Sequence, residues 1–129
     1  MKFNIESKLK IKNLKFLGYV SELEKQKLLR ESCCLVLISK DEGFGLPILE
    51  AMACGCPVLA SSTSSIPEVA GDAAFYFKPH DKIEMASAIK KIVADSHLRQ
   101  ELIGRGWLRV KNFSWQKCAQ ETHQILFSK

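Results

Sequence analysis

The sequence predicts an α/β domain built on an open, doubly wound parallel sheet. Three observations carry that prediction. The runs Cys33–Ser39 and Pro57–Ser61 are apolar throughout and too short for helices, the pattern of strands buried on both faces. Segments with helical signals alternate with them, and strand, helix, strand, helix, strand implies parallel strands joined by right-handed crossovers. The chain has 129 residues, 47% hydrophobic and 26% charged, so it is one ordinary globular domain with enough length for one core.

Each element has a local reason. Asn13–Val20 reads as a strand, with Leu14, Phe16, Leu17 and Val20 supplying the apolar side chains. Ser21 then caps a helix and Glu24, three residues on, completes a capping box. That helix runs to about Glu31. After the Cys33–Ser39 strand comes a glycine-bearing loop, Lys40–Gly45. Leu46–Cys54 is a helix with Pro47 in its first turn, where the missing N–H costs nothing, and Gly55 stops it. Pro57–Ser61 is the next strand, Ser62–Pro67 a polar loop, Glu68–Ala70 a helical turn and Ala74–Phe77 a fourth strand. Asp81 with Glu84 opens a capped helix whose stripe is Ile83, Ala86, Ile89 and Val93. His97 to about Asn112 and Ser114–Phe127 are two further helices.

Composition excludes several classes. No apolar run approaches a membrane span, and Met1–Asn4 has no signal-peptide core. Net charge is +5, unevenly spread. Residues 1–30 carry eight basic and three acidic side chains, 31–85 three and eight, and 86–129 eight and three. The motif-rich middle is therefore acidic, the reverse of a nucleic-acid binder. The basic ends read as solvated helix faces or as a docking face for an anionic surface. The five cysteines are odd in number and contain no Cys-x-x-Cys pair, which argues against disulfides and zinc and for a reducing, cytoplasmic setting. Cys54 and Cys56 read as small buried residues beside a turn glycine.

In doubly wound sheets ligands bind at the carboxyl ends of the strands. The segment Ser39–Glu50 lies at such an end. Gly43 and Gly45 permit close approach of the backbone, and the following helix directs free N–H groups and its positive end at whatever occupies the loop. That suits a phosphate or diphosphate. Glu42 and Glu50 flank it, and a carboxylate accepts paired hydrogen bonds from vicinal hydroxyls. Together they match a ligand of the form sugar–phosphate–ribose, or else they are a glycine turn with two surface glutamates.

The chain resembles the C-terminal, donor-binding half of a GT-B glycosyltransferase of retaining family 4, the glycosyl group 1 transferases. The resemblance rests on Phe16–Val20, on Glu42-Gly-Phe-Gly-Leu-Pro-Ile-Leu-Glu50 with the family's E-x7-E spacing, on Ala51–Ala60, on Ile66–Ala74 and on Phe113-Ser-Trp115. It spans nearly all of residues 14–127 and implies a Rossmann-like domain. It also implies a nucleotide-sugar donor as substrate and transfer with retained configuration, without a cofactor and without a metal. Glu42 would then touch the donor sugar nearest the reacting centre. The backbone N–H groups of Gly43, Phe44, Gly45 and Leu46 would hold sugar and phosphate. Glu50 would take the ribose, and the Gly18–Val20 strand end, Val20 above all, would meet the base, with Glu22 beside it. The Ile66–Ala74 segment is most similar to that of bacterial polysaccharide mannosyltransferases, pointing to GDP-mannose and to a glycan or lipid-linked acceptor.

Two departures set expectations. The family's donor domain ordinarily begins with a further βα unit bearing an Arg and a Lys for the diphosphate, and an N-terminal acceptor domain precedes it. Neither is found in this sequence. The expectation is a fragment, residues 1–129, inactive alone, with an apolar patch near residues 1–12 or on the last helix, and with contact at the inner membrane surface in the full enzyme. The alternatives are a non-catalytic nucleotide-sugar module and, less well matched, a nucleotide-sugar epimerase. Trp107 and Trp115 read as core or interdomain packing, and His80, His97 and His123 as structural. The serine run 61–65 reads as a binding-face loop or a solvated one.

Overall fold

The computed structural model describes residues 13–128. Three parallel strands, β1 (Leu35–Leu37), β2 (Val58–Ser61) and β3 (Ala74–Phe77), form one sheet in the order β1-β2-β3. Leu35 pairs with Val58, and Val58 with Ala74. Among the described residues six helices accompany them: α1 (Glu22–Glu31), α2 (Leu46–Ala53), α3 (Ile66–Ala70), α4 (Lys82–Ala94), α5 (Ser96–Val110) and α6 (Trp115–Phe127). A 3-10 turn, Gly71–Ala73, links α3 to β3.

β2 is the centre of the core, and all four of its residues are buried. Successive strand side chains face opposite sides, so Val58 and Ala60 enter one cluster with Ile48, Ala51 and Met52 of α2 and Ile66 of α3. Leu59 faces the other, with Phe77, Ala88, Ile92 and Leu102. Helices thus cover both faces, as the doubly wound pattern predicts. Ile48, Leu59, Ile66 and Ile92 are fully buried, and burial of each such side chain contributes about 1.5–3 kcal/mol. Gly106 lets α5 pass close over α2, because a methyl there would come within 3.1 Å of Met52 Cγ.

The capping chemistry is as the sequence predicts. The Ser21 hydroxyl accepts from the Glu24 N–H while the Glu24 carboxylate accepts from the Ser21 N–H. Asp81 accepts from Glu84 N–H, and Ser114 from Lys117 N–H. Gly55 ends α2 with φ +71°.

Three expectations are corrected. Residues 13–20 form no strand. Asn13 and Gly18 adopt left-handed φ values of 72° and 65°, Leu14, Phe16, Leu17 and Tyr19 are exposed, and no strand of the described sheet pairs with them. A strand exists only where a neighbour takes its N–H and C=O groups. On α4 the buried residues are Ala88 and Ile92, with Met85 and Ile89 partly covered, whereas Ile83 and Val93 are exposed. The helix is apolar enough to offer two stripes, and the sheet selects one. Of the two readings of Trp107 and Trp115, core packing is excluded, since they are 55% and 79% exposed, while packing against another domain is untouched; the Trp107 ring rests against Gly55.

Among the described residues all five cysteines are free, with Cys56 buried and Cys54 only partly so. No helix there is long and apolar enough to cross a membrane. The expected apolar surface near residues 1–12 lies outside the described residues. On α6 nothing is buried, and Trp115, Ile125, Leu126 and Phe127 are exposed.

Candidate functional site

Because the strands are parallel, β1 and β2 end on the same side of the sheet, and the Ser39–Gly45 and Ser62–Ser65 loops meet there. The meeting is made by hydroxyls. Ser61 is fully buried; its Oγ donates to the Ser39 carbonyl at 2.8 Å and accepts the Ser39 N–H at 3.2 Å. Thr63 Oγ1 donates to the same carbonyl at 2.9 Å. Ser64 and Ser65 donate to the Glu42 carbonyl at 3.0 and 2.8 Å. The serine run is therefore a clamp on the neighbouring loop, a role missed in the sequence reading, which offered only ligand contact or solvation.

Gly45 is the N-cap residue of α2, with φ 89° and ψ 38°. No side chain caps this helix, and Pro47 occupies its first turn. Among the described residues, no protein acceptor meets the N–H groups of Gly43, Phe44, Gly45 or Leu46. Gly43, Phe44 and Leu46 are exposed, Gly45 is buried and Glu42 is half-buried. A methyl on Gly43 would meet nothing within 4 Å, so the space beside it is open. From the far side the Phe113 ring packs edge-on against Phe44, centroids 6.0 Å apart at 81°. Phe113 in turn lies 5.3 Å from the Arg109 guanidinium, whose Nε donates to the Val69 carbonyl at 2.8 Å.

Glu50 lies in the second turn of α2, the same helix that the loop opens. Its Oε1 accepts from Lys25 Nζ at 2.8 Å, and Lys25 Nζ is also 2.8 Å from Glu22 Oε2. Bonding first to Glu22 and then to Glu50 holds the Lys25 ammonium well above its ordinary pKa, and the same contact lowers that of Glu22. Val20, half-buried, stands two residues ahead of α1, which carries both groups. Thus the structure places Glu42 to Leu46 and Glu50 on one loop and one helix and joins Glu50 to α1. Lys25 was missed; its only sequence signal is the i,i+3 spacing from Glu22.

Among the described residues no group of three or more His, Cys, Asp or Glu is arranged to hold a metal ion. What the site offers, among the described residues, is a row of backbone N–H groups without protein acceptors, flanked in sequence by Glu42 and Glu50, at the carboxyl edge of a parallel sheet. The fold and this loop define a doubly wound α/β domain, a class whose ligand sites lie at such a strand end.

Comparison with known proteins gives the family. The profile described as "Glycosyl transferases group 1" matches residues 1–107, and the chain belongs to that family. It is 39% identical over 109 residues to the O-antigen chain mannosyltransferase B of Escherichia coli, covering 84% of this chain and 29% of that protein. It is 34% identical over 107 residues to the MMP alpha-(1->4)-mannosyltransferase of Mycolicibacterium hassiacum, covering 80% and 26%. Among solved structures, the sucrose-phosphate synthase of Thermosynechococcus elongatus superposes with a TM-score of 0.77 at 30% identity, over 87% of this chain and 29% of that one. The chain thus spans under a third of the length of each. The similarity to that synthase agrees with a Rossmann-like half of a GT-B enzyme.

Proposed function

We propose that the chain is the donor-binding domain of a retaining hexosyltransferase, with GDP-mannose as donor and a glycan or lipid-linked molecule as acceptor. The observation that carries this reading is the loop from Glu42 to Leu46: among the described residues the N–H groups of Gly43 to Leu46 have no protein acceptor, and the loop leads into a helix with no side-chain cap. Such donors suit a diphosphate and stabilise the charge that builds on it as the sugar departs. The mannosyltransferase names of the relatives support the choice of sugar.

In this reading the N–H groups of Gly43, Phe44, Gly45 and Leu46 hold sugar and distal phosphate. Glu42 touches the sugar hydroxyls next to the reacting carbon, Glu50 takes the ribose and Val20 borders the base. No metal or cofactor is used, since the backbone donors supply the positive potential. An N-terminal acceptor domain completes the enzyme, which works in the cytoplasm at the inner membrane surface; residues 1–129 alone are inactive.

Separate losses test the division of labour. Glu50→Ala weakens nucleoside diphosphate binding roughly ten- to hundred-fold, as expected for a charged acceptor serving hydroxyls. Glu42→Ala leaves that binding intact and lowers the transfer rate, where transition-state contacts are felt. Calorimetry and transfer assays on the full-length enzyme measure the two. Identical behaviour of the variants in both assays refutes the assignment.

A further inference from the structure

Lys25 joins α1 to α2 beside the site through its ion pair with Glu50. A groove of about 250 Å³ between α1 and α2 is lined by Glu22, Lys25, Leu29, Glu50, Ala53 and Cys54, among others. Leu29, Ala53 and Cys54 make part of it apolar, and Glu22, Lys25, Arg30 and Glu50 give it charge. With side chains 34% and 39% exposed, the Lys25–Glu50 pair is open to solvent. An ion pair so exposed adds little to stability, so its consequence is geometric.

An ammonium has three donors, and Lys25 directs two of them to Glu22 and Glu50, both at 2.8 Å. A carboxylate has about four lone-pair sites, and Lys25 takes one of those on Glu50. A vicinal diol both donates and accepts. A lone carboxylate answers only the donating half, whereas a carboxylate with an ammonium fixed against it answers both.

We propose that Lys25 and Glu50 act as one unit that reads the ribose cis-diol: Glu50 accepts the hydroxyl protons, and Lys25 donates its remaining N–H to a hydroxyl oxygen. The proposal rests on the assignment of Glu50 to the ribose. Bonding to the two glutamates keeps Lys25 protonated throughout the neutral range.

The test compares GDP with 2′-deoxy-GDP by calorimetry on the full-length protein, with UDP and 2′-deoxy-UDP covering a pyrimidine donor. The ratio of the two affinities cancels any effect of the Lys25 charge on the diphosphate, which both ligands share. The unmodified protein prefers the ribonucleotide by about tenfold or more. Lys25→Met lowers that preference to about threefold or less at an unchanged melting temperature, and Lys25→Arg restores most of it. An unaltered ratio in Lys25→Met overturns the proposal, as does tighter GDP binding, which would make Lys25 a competitor of the ligand. An unaltered ratio in Glu50→Gln instead overturns the assignment of Glu50 itself. A protein that binds neither ribonucleotide overturns both.

Discussion

Gly43 and Gly45 stand two residues apart in one loop, yet alanine has opposite consequences at the two positions. Gly45 has φ 89°, a left-handed conformation that costs an L-residue about 1–2 kcal/mol. Its new methyl would sit 3.3 Å from Ile48 Cδ1 and 3.7 Å from Glu42 Cγ. Ile48 is fully buried and has little room to retreat, so packing adds to the backbone cost. In a domain of this size about 1–2 kcal/mol lowers the melting temperature by about 3–8 °C. Gly43 carries no left-handed φ, and its methyl would meet nothing. Alanine there restricts the unfolded chain and stabilises by about 0.4–1 kcal/mol, but it fills the open space in which the diphosphate is proposed to lie. Gly43→Ala therefore melts at or slightly above the parent temperature while losing at least about tenfold in affinity, roughly 1.4 kcal/mol. Thermal denaturation followed by circular dichroism and calorimetric titration with GDP measure both quantities. Equal destabilisation by the two variants refutes the conformational argument. Undiminished nucleotide affinity in Gly43→Ala refutes the cradle.

Burial pushes the Cys56 thiol up to about 11, so at pH 8 it remains protonated and reacts with iodoacetamide well after the exposed Cys33 and Cys118; mass spectrometry of timed samples reads the order, and equal rates would contradict it. Glu24 is held below its ordinary pKa of 4.5 by the Ser21 N–H and hydroxyl. A depressed carboxylate stabilises above its unfolded pKa and loses that contribution as pH falls through the folded value. The first turn of α1 therefore frays on acidification below about pH 4.5 before the core unfolds, seen as loss of helical NMR shifts at Glu22–Lys25, and unchanged shifts down to the global transition would refute it.

What was legible in the sequence was whatever is decided locally. The Ser21–Glu24 box, the Asp81 cap and the Gly55 stop each involve residues within four positions of one another, and each appears where expected. The strands β1 and β2 were legible because unbroken apolar runs that short have few alternatives, but only β2 is buried on both faces; β1 shrinks to Leu35–Leu37 and is half-buried, with Cys33 and Ile38 exposed. Residues 13–20 were misread because pairing is not local: an apolar segment becomes a strand only beside another. The α4 stripe failed because Ile83, Ala86, Ile89 and Val93 were as plausible as Met85, Ala88, Ile89 and Ile92 until the sheet was in place. At the site, the glycine loop and its two glutamates were readable from spacing. The contacts between elements were not: Lys25 lies 25 positions from Glu50, and Ser64 lies 22 from Glu42.

The hydroxyl clamp also sorts the loop by sign. The carbonyls of Ser39, Asp41, Glu42 and Gly45 each accept at least one hydrogen bond from within the protein. Their lone pairs are engaged inward, while among the described residues the N–H groups of Gly43 to Leu46 meet no protein acceptor. A peptide is ordinarily neutral in this respect, one donor matched by one acceptor. Here side-chain hydroxyls take the carbonyls of Ser39, Asp41 and Glu42, and the Ile48 N–H takes that of Gly45. In the proposed reading the free N–H donors are what the oxygens of the diphosphate meet. The polarity of the loop is fixed by folding rather than by titration, so it holds at every pH at which the fold survives.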